Sequence, residues 1–178
     1  MMMGHQINTL DASSGSTVRL SEYTDYTLRV LIYCATHRDG LVTIAELAEQ
    51  HGLSKNHLMK VVNDLARQGL IETTRGRGGG LRLLAEPETI CIGDVVRASE
   101  TDFRLVECFD PDTNACTLTP NCRLKHLFDE ALQGYFKALD GATLADMTAD
   151  HTATQAPSGG PPARRHRVIA LAMPKTRR

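Results

Sequence analysis

The chain has 178 residues, a formal net charge of −1 and 42% apolar residues, the make-up of one globular domain with appendages. Aromatics are only 4% and Trp is absent, so stacking on single-stranded nucleic acid is poorly supplied, and no global basic field is present. No apolar run reaches the length of a membrane span, and residues 1–16 lack the apolar stretch of a secretory signal, so a cytoplasmic protein is expected.

Residues 1–18 are rich in Ser, Gly and Thr without periodicity and are expected to be a disordered extension, with Val18 as a candidate translation start. From Leu20 the pattern becomes helical. Ser21 is placed to cap a helix whose apolar residues are Tyr23, Tyr26, Leu28, Leu31, Ile32 and Ala35. Gly40 interrupts the pattern. Thr43 and Glu46 then form a capping box for a short helix with Ile44, Leu47 and Ala48 inward. Gly52 ends that helix, and Ser54 caps a third running to about Gln68, with Leu58, Val61, Val62 and Leu65 inward. Helix, short glycine-containing turn and helix together make a helix-turn-helix.

Two strand-like stretches, residues 70–74 and 81–84, flank the glycine-rich run from Gly76 to Gly80 and predict a hairpin. A hairpin directly after a helix-turn-helix is a wing. Residues 92–98 read as a short helix, residues 102–121 as an irregular cysteine-bearing segment, and residues 123–139 as a longer amphipathic helix. After Asp150 the chain is rich in Pro and Gly, then Arg, with no acidic residue, and a disordered basic tail is expected. The fold class that follows is mainly α with a small β-hairpin. Its parts are a winged helix-turn-helix over residues 19–101, a cysteine loop over 102–122, a helical region over 123–149 and a tail over 150–178.

Two constellations carry chemistry. The third helix opens with Ser54, Lys55, Asn56 and His57, and Lys60 follows one turn later; residues at the start of a recognition helix face base edges in the major groove. Asn can pair with adenine and Lys with guanine, and Ser54 at the helix start suits a phosphate. The wing adds Arg75, Arg77 and Arg82, residues suited to a narrow minor groove. Each of these could equally be a solvated charge; the order of capped helix, turn, basic helix start and basic hairpin favours double-stranded DNA as the partner.

The second constellation is Cys108, Cys116 and Cys122, spaced C-x7-C-x5-C. In a reducing compartment, clustered cysteines read as metal ligands or redox sensors before disulfides. The close C-x2-C pairs typical of zinc are missing, whereas iron–sulfur clusters tolerate wider spacing. Ordinary reduced cysteines, or a metal-free thiol switch, are the alternatives. Cys34 and Cys91, each among apolar neighbours, are expected in the core. No Ser-His-Asp, paired-carboxylate or P-loop arrangement stands out, so an enzyme is not expected.

Several separate blocks resemble the Rrf-type winged-helix regulators. They are Tyr23-Thr24-Asp25-Tyr26-x-Leu28-Arg29, residues 42–48, residues 53–65, the wing Arg75-Gly76-x-x-Gly79-Gly80-x-Arg82-Leu83, and residues 92–96. The run from Cys116 to Lys125 is similar to the nitric-oxide-sensitive iron–sulfur repressors within that family. The resemblance implies a homodimer joined largely through the helix after Cys122. It also implies a [4Fe–4S] cluster on Cys108, Cys116 and Cys122, with Asp25 of the partner chain as fourth ligand, and release of DNA when nitric oxide attacks the cluster. Relatives with a [2Fe–2S] cluster carry a histidine three residues after the last cysteine; here that position is Lys125, with His126 next to it.

Overall fold

The computed structural model describes residues 19–118 and 122–152. The expected N-terminal extension and nearly all of the basic tail lie outside the described residues. The described chain runs as helices α1 (Glu22–Thr36), α2 (Ile44–His51) and α3 (Lys55–Arg67), strands β1 (Ile71–Thr74) and β2 (Gly80–Leu83), and helices α4 (Ile92–Ser99), α5 (Arg123–Asp140) and α6 (Leu144–Thr152). Short 3-10 turns occupy Pro87–Thr89 and Glu107–Phe109. This is the expected mainly-α architecture with one hairpin. No described helix is long and apolar enough to cross a membrane.

The caps define the helix-turn-helix. Ser21 Oγ accepts from the Thr24 amide at 3.2 Å and starts α1. Thr43 and Glu46 form the reciprocal box that starts α2, and Gly52 ends α2 in the left-handed region at φ 65°, a conformation that costs glycine little. Ser54 sits at the N-cap of α3 but makes no side-chain cap bond, which leaves its hydroxyl to other partners.

The core is a single cluster. Leu47 of α2, Leu58, Val61, Val62 and Leu65 of α3, and Ile71, Leu81 and Leu83 of the hairpin close around Val30, Leu31 and Cys34 of α1. The α1 stripe differs from the sequence expectation. The residues fully inside are Thr24, Thr27, Val30, Leu31 and Cys34, and the tyrosines lie at its edge. Threonines are tolerated there because each hydroxyl is satisfied locally: Thr27 donates to Tyr23 O at 2.8 Å, and Thr24 Oγ1 lies 3.1 Å from Ser21 Oγ.

β1 and β2 pair antiparallel, with Ile71 opposite Leu83 and Thr74 opposite Gly80. Val42, just before α2, adds a bridge to Leu81 through bonds of 2.9 and 2.8 Å, so the hairpin is fixed to the helix-turn-helix. The bend between the strands passes through Gly76 and Gly78 at positive φ.

α6 has no counterpart in the sequence expectation. Its start is capped by Thr143, whose amide and hydroxyl both reach Asp146 Oδ2, at 2.8 and 2.9 Å. Leu144 is fully buried and α6 packs along α1. The chain before α6 is stitched to the start of α4 by Ile92 N to Ala142 O at 3.0 Å and Leu144 N to Ile90 O at 2.9 Å.

Candidate DNA interface and metal centre

α3 presents its buried stripe to the core and its opening residues to solvent. Ser54, Lys55, Asn56, His57 and Lys60 are all exposed. None of Ser54, Lys55 and Asn56 is needed to hold the helix, since the core residues Leu58, Val61 and Leu65 do that. Two of the exposed group are nonetheless oriented by α1. The His57 ring stacks beside Tyr26 at a centroid separation of 6.3 Å, and Lys60 Nζ lies 5.4 Å from the centre of the Tyr23 ring. Helical spacing puts both tyrosines among the apolar residues of α1, and nothing in that spacing alone could have paired them with α3.

On the wing, Arg75 and Arg77 are exposed at the tip. Arg82 is exposed too, but Glu72 directly opposite on β1 holds it, Nε at 2.8 Å and Nη2 at 2.6 Å from Glu72 Oε2. Exposed pairs of this kind contribute little stability. The pair fixes the direction of the Arg82 guanidinium across the hairpin.

The three clustered cysteines lie in the segment between α4 and α5, and all five cysteines are free thiols. Cys108 is buried within the 3-10 turn Glu107–Phe109; Cys116 is half-buried in the following loop; Cys122 is half-buried at the N-cap of α5. The segment is tied to itself. Arg104 bonds both carboxylate oxygens of Asp102 at 2.9 Å and also reaches Asp110. Asp110 accepts the Asp112 amide at 3.0 Å and the Thr113 hydroxyl at 2.9 Å, and these bonds, aided by Arg104, hold its carboxyl below the usual range. Glu107 takes the Ala115 amide at 2.7 Å, and Asn114 takes that of Cys116 at 3.0 Å.

Thiolates on one tetrahedral zinc, each at about 2.3 Å, would stand roughly 3.8 Å apart. Among the described residues, the only His, Cys, Asp or Glu group with ligand atoms within 4.8 Å of one another is Cys91, Asp94 and Asp140. The sulfurs of Cys108, Cys116 and Cys122 thus do not all lie within 4.8 Å of one another. Three free soft thiolates on one tethered loop fit the donor set of an iron–sulfur cluster.

The Cys91 group is a structural ion pair. Arg97 already fills it, reaching Asp140 at 2.6 and 2.7 Å and Asp94 at 3.5 Å. Cys91 itself departs from the expected core position. It is half-buried at the N-cap of α4, its sulfur 4.0 Å from Leu139 O and 3.9 Å from Asp140 O, because the chain there pairs with Thr143 before turning into the helix. Cys34 matches expectation, 1% exposed, and burial pushes its thiol up to about 12.

Asp25 stands on α1, far along the chain from the cysteines, and pairs with Arg29 one turn on at 2.8 Å. Both line an open cleft of about 450 Å³ with Arg19, Leu20, Tyr26 and Leu53. α5 has no buried residue, and Leu124 and Leu127 are 54% and 59% exposed, a wide apolar face for a helix of 18 residues.

Comparison with known proteins gives concordant results. The family model Rrf2, described as an iron-dependent transcriptional regulator, matches residues 20–150. The chain is 53% identical over 131 residues to the HTH-type transcriptional regulator NsrR of Bacillus subtilis, covering 73% of this chain and 90% of that one. It is 50% identical over 137 residues to the NsrR of Bacillus licheniformis, covering 75% and 96%. Among solved structures, T. potens IscR superposes with a TM-score of 0.61 at 26% identity, covering 80% of this chain and 94% of that one. CymR, the global cysteine regulator of B. subtilis, gives 0.57 at 25%, covering 75% and 98%.

Proposed function

Since the chain belongs to the Rrf2 family of iron-dependent transcriptional regulators, we propose that it is a dimeric DNA-binding repressor that holds an iron–sulfur cluster and releases its operator in response to nitric oxide. The observation that carries this reading is that three free cysteines fall in the one segment between α4 and α5 of a chain whose helix-turn-helix has exposed opening residues.

Cys108, Cys116 and Cys122 would hold the cluster, taken as [4Fe–4S], with Asp25 of the second chain as the fourth ligand. Bound there, the cluster would supply iron to which nitric oxide can bind, and the hard oxygen donor of Asp25 would be the weakest of its protein ligands. The network of Arg104, Asp102 and Asp110 restrains the loop before any metal arrives, so less ordering is left to binding. Asp25 meets Arg29 through Oδ2, so serving as a ligand would add to or replace that bond and its bonding would differ between the two states. The exposed apolar face of α5 supports pairing of two chains, a dimer in which we take one chain's α1 to meet the other's cysteine loop. On DNA, Asn56 and His57 would read bases in the major groove. Ser54, Lys55 and Lys60 would bind at the helix start, and Arg75, Arg77 and Arg82 would approach from the wing.

Anaerobic purification with iron and sulfide quantitation tests the reading, followed by gel shifts on a duplex selected by the protein from a random library, before and after nitric oxide. Expected are about four iron and four sulfide per chain, loss of the visible absorbance in Ser variants of Cys108, Cys116 or Cys122, and release of the duplex by nitric oxide. Iron-free protein whose DNA affinity follows thiol oxidation alone would make the cysteines a thiol switch instead.

A further inference from the structure

Three consecutive polar contacts link α1 to α3. Tyr26 stacks on His57 with 28° between the ring planes, Tyr23 underlies Lys60, and Tyr23 Oη donates to Asp64 Oδ2 at 2.5 Å. Asp64 is held in turn by Arg67. His57, Lys60 and Asp64 fall on one stripe of α3, at spacings of three and four residues. Tyr23 and Tyr26 fall on one turn of α1, and Asp25 lies between them.

These contacts lie on the solvent side of the core, at whose edge the two rings pack. His57 and Lys60 are exposed, and both tyrosines are only partly buried. The core between α1 and α3 is already filled by Val30, Leu31, Leu58, Val61 and Leu65. What the rings do is orient two exposed side chains, candidates for reading DNA. An offset stack and a cation over a ring are each directional interactions, and neither consumes the hydrogen-bond donors that DNA would use. Tyr26 also lines the Asp25–Arg29 cleft, so one side chain borders both the candidate ligand and a candidate base reader.

We propose that Tyr23 and Tyr26 are positioning residues for DNA reading, which transmit a change in the bonding of Asp25 to Lys60 and His57. This rests on the functional reading above, in which Asp25 is a ligand to the partner's cluster in one state and not in the other. When Asp25 is drawn outward, the turn that carries both rings moves with it, and the orientation of the two side chains on α3 changes. The element that both sites bias is thus one turn of helix rather than a chain of contacts through the core.

The test uses the full chain, wild type and with Tyr26→Leu, Tyr26→Phe or Tyr23→Phe, loaded anaerobically with iron and sulfide. Three quantities are read: visible absorbance, affinity for the selected duplex before and after nitric oxide, and the His57 ring-proton shifts of the metal-free protein. Tyr26→Leu is expected to keep the absorbance and to move the His57 resonances as the neighbouring ring is lost. Its ratio of affinities between the two states should fall by about threefold or more. Tyr26→Phe keeps the ring and should restore both. Tyr23→Phe removes only the bond to Asp64 and should lower the ratio in the same direction; it carries the test if Tyr26→Leu does not fold.

A wild-type ratio in Tyr26→Leu and Tyr23→Phe overturns the relay while leaving the functional reading intact. So does a Tyr26→Phe variant as impaired as Tyr26→Leu. A wild type that holds no cluster, or binds the duplex equally in both states, overturns the functional reading and the relay with it.

Discussion

The carboxylate of Asp140, at the end of α5, occupies the space that a β-carbon on Gly93 of α4 would need. Arg97 holds it there with two hydrogen bonds while its guanidinium lies 4.2 Å from the centre of the Phe136 ring. Gly93→Ala should therefore destabilise the fold by about 1–3 kcal/mol, the usual cost of overpacking. In an Asp140→Ala background the sign should reverse, because the obstacle is gone and alanine is the better helix former by about 1 kcal/mol. Thermal unfolding of the four proteins of this cycle reads both signs.

The same pair fixes a pH dependence. The hydrogen bonds from Arg97 hold the Asp140 carboxyl below its ordinary value. A depressed carboxylate contributes its stability in full above the unfolded value of about 3.9 and loses it as pH falls through the lower folded value. The gap in melting temperature between wild type and Asp140→Asn should accordingly stay constant from about pH 8 to pH 5 and close below about pH 4.

Thiol chemistry should sort the cysteines. With its pKa pushed up to about 12 and its side chain fully covered, Cys34 exposes about one thiolate in ten thousand at pH 8. Mass spectrometry after brief iodoacetamide treatment of metal-free native protein should find Cys116 and Cys122 alkylated and Cys34 untouched. Alkylation of Cys34 at the rate of Cys116 would contradict the burial that the core assigns to it.

The restraint on the cysteine loop should be separable from its ligands. Asp110→Ala removes the acceptor for the Asp112 amide, the Thr113 hydroxyl and Arg104 at once. Faster amide exchange across residues 110–116 of the metal-free protein is expected, with slower cluster reconstitution, while the unfolding midpoint changes little because these bonds are exposed.

For DNA, Asn56→Ala should change which base is preferred, at a cost of about 1–3 kcal/mol for the cognate base. Arg77→Ala should weaken all sequences alike and reduce the slope of affinity against salt by about one. Glu72→Gln leaves Arg82 without its ion pair and should raise nonspecific affinity, which a titration against random duplex would measure.

The helix-turn-helix was legible in the sequence because its signals are local: a cap at Ser21, a box at Thr43 and Glu46, a left-handed Gly52, and four inward residues on α3. The wing followed from glycines between short apolar stretches. The interior of α1 was only partly legible: a threonine reads as polar in a sequence, whereas the hydroxyls of Thr24 and Thr27 find partners within the first turns of α1 and can be buried. α6 went unseen although Thr143 and Asp146 carry its start signal, because the nine residues have weak amphipathicity and Leu144 alone is a large buried residue. At the candidate site, residue identities were readable but tethering was not: Arg104, Asp110 and Glu107 act through contacts two to eight residues apart in an irregular segment, where no periodicity guides the eye.

Among the described residues, the side-chain and backbone bonds that fasten α5 to the body gather near its C-terminal end. Near Asp140 it is pinned by Arg97, by the ring of Phe136 against Phe103, and by the stitch between residues 90–92 and 142–144. At the other end it begins at Cys122, and its first turns carry no buried side chain. Mechanically it is a cantilever about 27 Å long, at 1.5 Å per residue over 18 residues. A displacement at Cys122 swings the beam about its clamp at Asp140 instead of sliding it. The largest movement then falls on Leu124 and Leu127 at the free end, and the smallest falls where α5 meets the body of the protein.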